Sequence, residues 1–246
     1  MIVKWQAVRE AARGPVVTHA LIAGCCVVFV LSPASGLNPV YGTGQELLAN
    51  GTAYFRRWGV VPDELFTGGL PRSGGRALLT PLTALFVHGS WLHLLGNMLF
   101  LYVFGKMTEQ RMGRAGFLCF YVATGYLALA AYAAANASSD QTLVGASGAI
   151  SAVLGAFMCL FPKARVTSLF PFLLFLPLRF PAWIVLMFWF ALQWLAAHRA
   201  QSGPGVAYLA HVVGFSAGFL YAWVRYRRTT KKRSAVQEQS TQRADL

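Results

Sequence analysis

The side chains in this sequence that can do acid–base or nucleophilic chemistry are few, and most of them interrupt apolar runs. Ser147 lies in Gly145-Ala146-Ser147-Gly148, His211 in Ala210-His211-Val212-Val213-Gly214, and three more in H-G-S-W-L-H-L-L-G-N from His88 through His93 to Asn97. A hydroxyl nucleophile needs an adjacent base, and imidazole suits because a pKa of ~6.5 leaves it largely neutral at pH 7. His93 and Asn97 are four apart and share a helix face, about 6 Å apart along the axis at ~1.5 Å per residue. As donors they can serve a developing oxyanion or simply bond between helices. His88, five residues before His93, points elsewhere, near the outer end of the run. Ser147 beside glycines also has two readings, as a packing residue or as a nucleophile at a helix start, where free backbone amides of Ala146 and Ser147 face a developing oxyanion.

The elements that must position these groups are membrane helices. The chain has 246 residues, 56% hydrophobic and 12% charged, more apolar than a soluble domain. A bilayer core of ~30 Å needs about 20 mostly apolar residues per helix. Six stretches approach that: 16–33, 83–105, 116–135, 145–161, 182–198 and 206–224. Ionisable or amide side chains inside such spans are costly and point to function. Spans two, four and six carry the three polar groups, all in the outer half. The fourth is short and follows Asn136, Ser138, Ser139 and Asp140; a loop dipping below the surface is tolerated where it lines a watery cavity. Small residues at Ser147, Ser151 and Gly155 face Gly214 and Gly218 in a pattern that lets two helices approach backbone to backbone.

The net charge of +13 is distributed unevenly. With a cytoplasmic N-terminus, 16 of the 21 Lys and Arg fall on inner segments, the bias that sets orientation. Both termini are expected inside, in a bacterial-type plasma membrane. The basic run 225–233 reads as an anchor at anionic headgroups and not as a nucleic-acid site. The expected organisation is a cytoplasmic N-terminus (1–15), a six-helix membrane domain (16–228) and a polar, disordered tail (229–246). Residues 34–80 form an outer interfacial loop, in which Gln45 to Trp58 is either an amphipathic helix in the headgroup layer or an irregular loop. The Pro-interrupted stretch 166–181 is expected at the cytoplasmic interface. Lys4, Arg9 and Arg13 before an apolar run, with Ile22-Ala23-Gly24-Cys25, resemble a cleavable signal; the run continues through Val27 to Val30, which favours an uncleaved first helix. The four cysteines lie in apolar stretches and suggest no disulfide framework.

None of the eight acidic residues lies in a span on the outer side, so no carboxylate is available to orient a membrane histidine. The expected site is a Ser147–His211 dyad with His93 and Asn97 as oxyanion donors. There is no H-E-x-x-H for a zinc protease and no pair of span aspartates. His88, His93 and His211 lack the carboxylate or thiolate support of a metal site, so neither metal nor cofactor is expected.

Four ordered motifs resemble the rhomboid family of intramembrane serine proteases: H-x4-H-x3-N at His88, His93 and Asn97; E-x-R-x-G at Glu109, Arg111 and Gly113; G-x-S-G at Gly145, Ser147 and Gly148; and A-H-x2-G-x3-G at Ala210, His211, Gly214 and Gly218. The resemblance implies an all-α, six-helix bacterial-type bundle cleaving single-span membrane proteins near their outer boundary. It implies Ser147 and His211 as catalytic and His93 and Asn97 as oxyanion residues. Two departures stand out. The family's Trp-Arg pair is missing from the outer loop, where Arg57-Trp58 is reversed, and Ser151 stands where some members place an aromatic ring against the histidine. A catalytically silent relative that binds or escorts membrane proteins is the alternative; a solute transporter would require inverted repeats, and none is visible. Substrate identity and oligomeric state are not legible.

Overall fold

The computed structural model describes residues 14–66, 76–170, 176–199 and 207–242. Helices dominate. In chain order they are α1 (Val16–Leu31), α2 (Gly44–Trp58), α3 (Pro62–Phe66), α4 (Arg76–Ala84), α5 (Trp91–Phe100), α6 (Lys106–Met112), α7 (Arg114–Ala135), α8 (Ser147–Leu160), α9 (Ala182–Arg199) and α10 (Tyr208–Gln242). A π-helical segment, Leu101–Gly105, joins α5 to α6. Among the described residues α7 alone is long and apolar enough to cross a bilayer by itself, while α1, α8 and most of α9 are shorter apolar helices.

Helix α8 is the centre of the bundle. Every residue from Gly148 to Phe157 is buried, as expected of a helix that is apolar all round. It meets α10 through missing side chains. A Cβ at Gly214 would collide with the carbonyl oxygen of Gly148, one at Gly218 with that of Ala152, and one at Gly155 with that of Phe215. The small face of α8 is thus Gly148, Ala152 and Gly155, one residue on from the expected Ser147 and Ser151 at its upper end. The outer faces are apolar instead. On α5, Leu92, Leu95 and Leu99 are 83%, 59% and 60% exposed while Asn97 is buried, the reverse of a soluble helix.

Several sequence expectations need correction. The second apolar stretch is not one helix from residue 83: α4 ends at Ala84, and α5 starts at Trp91 because the Ser90 side chain accepts from the His93 amide and caps it. His88 therefore lies in the intervening turn and is fully buried. The expected all-α class omits a hairpin, β1 (Arg165–Phe170) paired antiparallel with β2 (Leu176–Pro181) from Arg165↔Pro181 to Phe170↔Leu176; pairing satisfies the backbone groups that prolines keep out of a helix. The tail read as disordered continues α10 as helix to Gln242. It contains no Gly or Pro from 229 to 242, so extending an existing helix costs little there. The N-terminal residues 1–13 lie outside the described residues.

The segment between α1 and α4 is helical over Gly44–Trp58, with Glu46 in its first turn and Arg56 and Arg57 in its last, complementing the helix dipole. It is tied to the bundle mainly through backbone. Val60 and Leu143 exchange both N–H···O bonds at 2.9 and 2.7 Å, and Asp63 N–H donates to Ser139 O at 3.1 Å. Thr83 Oγ1 donates to Trp58 O at 2.7 Å, and Trp91 Nε1 to Ser35 O at 3.2 Å. The Val60 pairing matters for the site, because Leu143 lies four residues before Ser147.

Candidate active site

Ser147 is the first residue of α8. Gly145 precedes it at φ +121°, a backbone conformation that strongly favours glycine, and its N–H donates to Ala84 O at 2.8 Å. The first amides of α8 have no acceptor within the helix; intrahelical bonding begins with Ile150 N–H to Ala146 O at 2.9 Å. The half-buried Ser147 hydroxyl is 2.8 Å from Nε2 of His211, from α10. The close approach of Gly214 and Gly148 brings these two positions together.

His93 is presented by α5. Its Nδ1 accepts from the Gly89 N–H at 3.5 Å, which leaves its hydrogen on Nε2. That edge faces Gly145: a Cβ there would lie 2.8 Å from both Nε2 and Cε1 of His93 and 3.8 Å from Ser147 Oγ. Asn97, one turn along, is buried, and its Nδ2 makes no hydrogen bond among the described residues. A buried amide donor left unpaired costs about 1–3 kcal/mol, and Asn97 is among the residues that line the cavity beside Ser147. His88 packs edge-on against His93, ring centroids 5.1 Å apart, and its Nδ1 lies 3.3 Å from Phe86 O. The two histidines read as pointing apart are neighbours, because the chain turns between them.

Ser147, His211, His93, Asn97 and Gly145 line one cavity of about 1090 Å³, together with Tyr132, Trp189, Gln193 and Tyr208, while His88 lies behind His93 and outside that lining. Glu109 and Arg111 do not line it. Glu109 is 1% exposed; one carboxylate oxygen accepts from Val17 N–H at 3.0 Å and the other from Thr18 N–H and Oγ1, both at 2.7 Å. It caps the N-terminus of α1. Arg111 lies over the Tyr226 ring at 5.2 Å, and Gly113, at φ +79°, makes the turn from α6 into α7. No group of three or more potential metal ligands occurs among the described residues.

One contact to His211 was missed by sequence reasoning. Nδ1 of His211 is 2.7 Å from Oε1 of Gln193 on α9. An amide inside an apolar stretch meets the same criterion that singled out Asn97, but the search for an orienting partner considered carboxylates alone. Ser151, which lacks the ring some relatives place at that position, turns its hydroxyl back to Ser147 O at 2.6 Å. Rings reach the imidazole from elsewhere: Trp189 of α9, centroids 6.0 Å apart, and Tyr208 of α10, 6.3 Å and edge-on.

A Rhomboid domain family model matches residues 76–228, which include every cavity residue named above. The chain is 33% identical over 152 residues to Rhomboid protein 1, mitochondrial, of Saccharomyces cerevisiae, covering 60% of this chain and 42% of that protein. It is 43% identical over 75 residues to Rhomboid-like protein 11, chloroplastic, of Arabidopsis thaliana, covering 28% of this chain and 24% of that one. The chain thus spans less than half the length of either curated relative.

Proposed function

The chain belongs to the rhomboid family of integral membrane proteins, and on that premise we propose that it is an intramembrane serine endopeptidase. The observation that carries this reading is the 2.8 Å contact between Ser147 Oγ and His211 Nε2 in a mainly apolar cavity that also holds His93, Asn97 and Gln193. Ser147 Oγ adds to the scissile carbonyl carbon as its proton passes to Nε2 of His211. The oxyanion that forms is met by Asn97 Nδ2–H, His93 Nε2–H and the Ser147 amide; the Ala146 position serves as the helix N-cap. The C–N bond then breaks as Nε2 returns its proton to the leaving amine, and a water deprotonated by the same nitrogen hydrolyses the acyl-enzyme.

The exposed leucines of α5 and the apolar lengths of α1, α7, α8 and α9 support a six-crossing bundle in lipid. The Lys and Arg distribution supports cytoplasmic termini in a bacterial plasma membrane, with α2 in the outer headgroup layer. The cavity then opens near the outer boundary, where single-span membrane proteins are the substrates.

A fluorophosphonate probe tests the activity on purified protein in detergent. Wild type takes one label and cuts a model transmembrane substrate; Ser147→Ala takes none, and Ser147→Ala and His211→Ala each lower turnover by at least ~10⁴ with thermal unfolding unchanged. A folded wild type that takes no label, or Ser147→Ala cutting at the wild-type rate, overturns the reading in favour of a silent binding or escort protein.

A further inference from the structure

The imidazole of a serine hydrolase must keep its Nδ1 hydrogen and present the Nε2 lone pair to the hydroxyl, and hydrolases commonly hold that tautomer with a carboxylate. Among the described residues no carboxylate touches His211. The groups that face its ring are Ser147 from α8, Trp189 and Gln193 from α9, Tyr208 from its own helix, and His93 across the cavity.

We propose that Gln193 is the positioning residue for His211, its amide oxygen accepting from Nδ1–H and so fixing the tautomer that receives the Ser147 proton. The proposal rests on the serine protease reading. The 2.7 Å contact is short for a neutral N–H···O bond. Only the oxygen end of the amide suits the reaction, because once Nε2 is protonated both ring nitrogens are donors. Trp189 lies one turn before Gln193 on the same face of α9, so ring and amide approach the imidazole as a pair. The buried stripe of α9 runs Ala182, Leu186 and then the half-buried Trp189 and Gln193, which directs the amide inward. A neutral acceptor also fits the setting, because an anion buried here would carry a large desolvation cost that an amide avoids.

The test compares wild type, Gln193→Met and Gln193→Glu, measuring kcat/KM against pH on a transmembrane substrate, with fluorophosphonate labelling and thermal unfolding alongside. Methionine keeps the length and removes the acceptor; kcat/KM is expected to fall about tenfold to a hundredfold, the loss of a hydrogen bond to a group that becomes charged. Glutamate restores an acceptor and stabilises the protonated ring. Its activity is expected to recover part of that loss, with the acid limb of the profile displaced to higher pH by about one unit. A merely structural side chain would leave that limb in place. A Gln193→Glu profile that superimposes on an active wild type overturns the proposal, whatever Gln193→Met does to folding. A wild type that neither labels nor cuts removes the protease reading itself.

Discussion

Two buried polar clusters in this molecule handle hydrogen bonding in opposite ways. Around Glu109 the polar atoms of the contact are matched: two oxygens receive three donors from the start of α1. Around Ser147 they are not. The Asn97 amide has a buried donor with no partner among the described residues, and Ser147 and Gly148 at the start of α8 line the cavity. Both clusters belong to motifs of the same family and neither is apolar, so motif membership does not distinguish structure from chemistry. Satisfaction does. A closed cluster stabilises the resting fold, whereas under the proposed function the open one stores donors for a charge that exists only during reaction.

The contrast can be broken by mutation. Asn97→Ala removes an unpaired donor, so turnover is expected to fall by ~10²–10³ while thermal stability holds or rises slightly. A drop in stability without a drop in turnover would place Asn97 with the structural cluster. Glu109→Ala is expected to do the reverse, destabilising by about 3 kcal/mol because buried donors lose a shared acceptor, with labelling of Ser147 unchanged in the fraction that remains folded. Equilibrium unfolding in detergent against probe labelling measures both. Thr18→Val takes away one of the three bonds to Glu109 and should cost about 1–2 kcal/mol, the smallest effect, again with no change at Ser147.

Sequence reasoning reached the candidate residues because lipid makes them conspicuous. Ser147, His211, His93 and Asn97 stand out as polar groups in apolar runs, and the glycines at 148, 155, 214 and 218 mark a seam. It fell short where the answer depended on chain geometry that no pattern encodes. The Ser90 cap starts α5 late and brings His88 against His93. The hairpin of β1 and β2 relies on register between strands. The bond between Gln193 and His211 crosses between α9 and α10. Gln193 itself was visible, but only to a search that asked for any acceptor. The motif around Glu109 was legible as a pattern and silent as to role, since its partners lie about 90 residues earlier in the chain.

The seam between α8 and α10 acts as a gauge. Ser147 and His211 ride on two backbones that touch where side chains are missing, so the spacing of the helices that carry them is set by the thickness of the main chain. Such a gauge cannot be reset by repacking. Each Cβ added along it would be felt as a wider gap between Ser147 and His211, and an error of ~1 Å in a reacting pair costs about 10²-fold in rate. Residues one and two turns along from Ser147 and His211 thereby set a tolerance in the cavity, and glycine is the component machined to that tolerance.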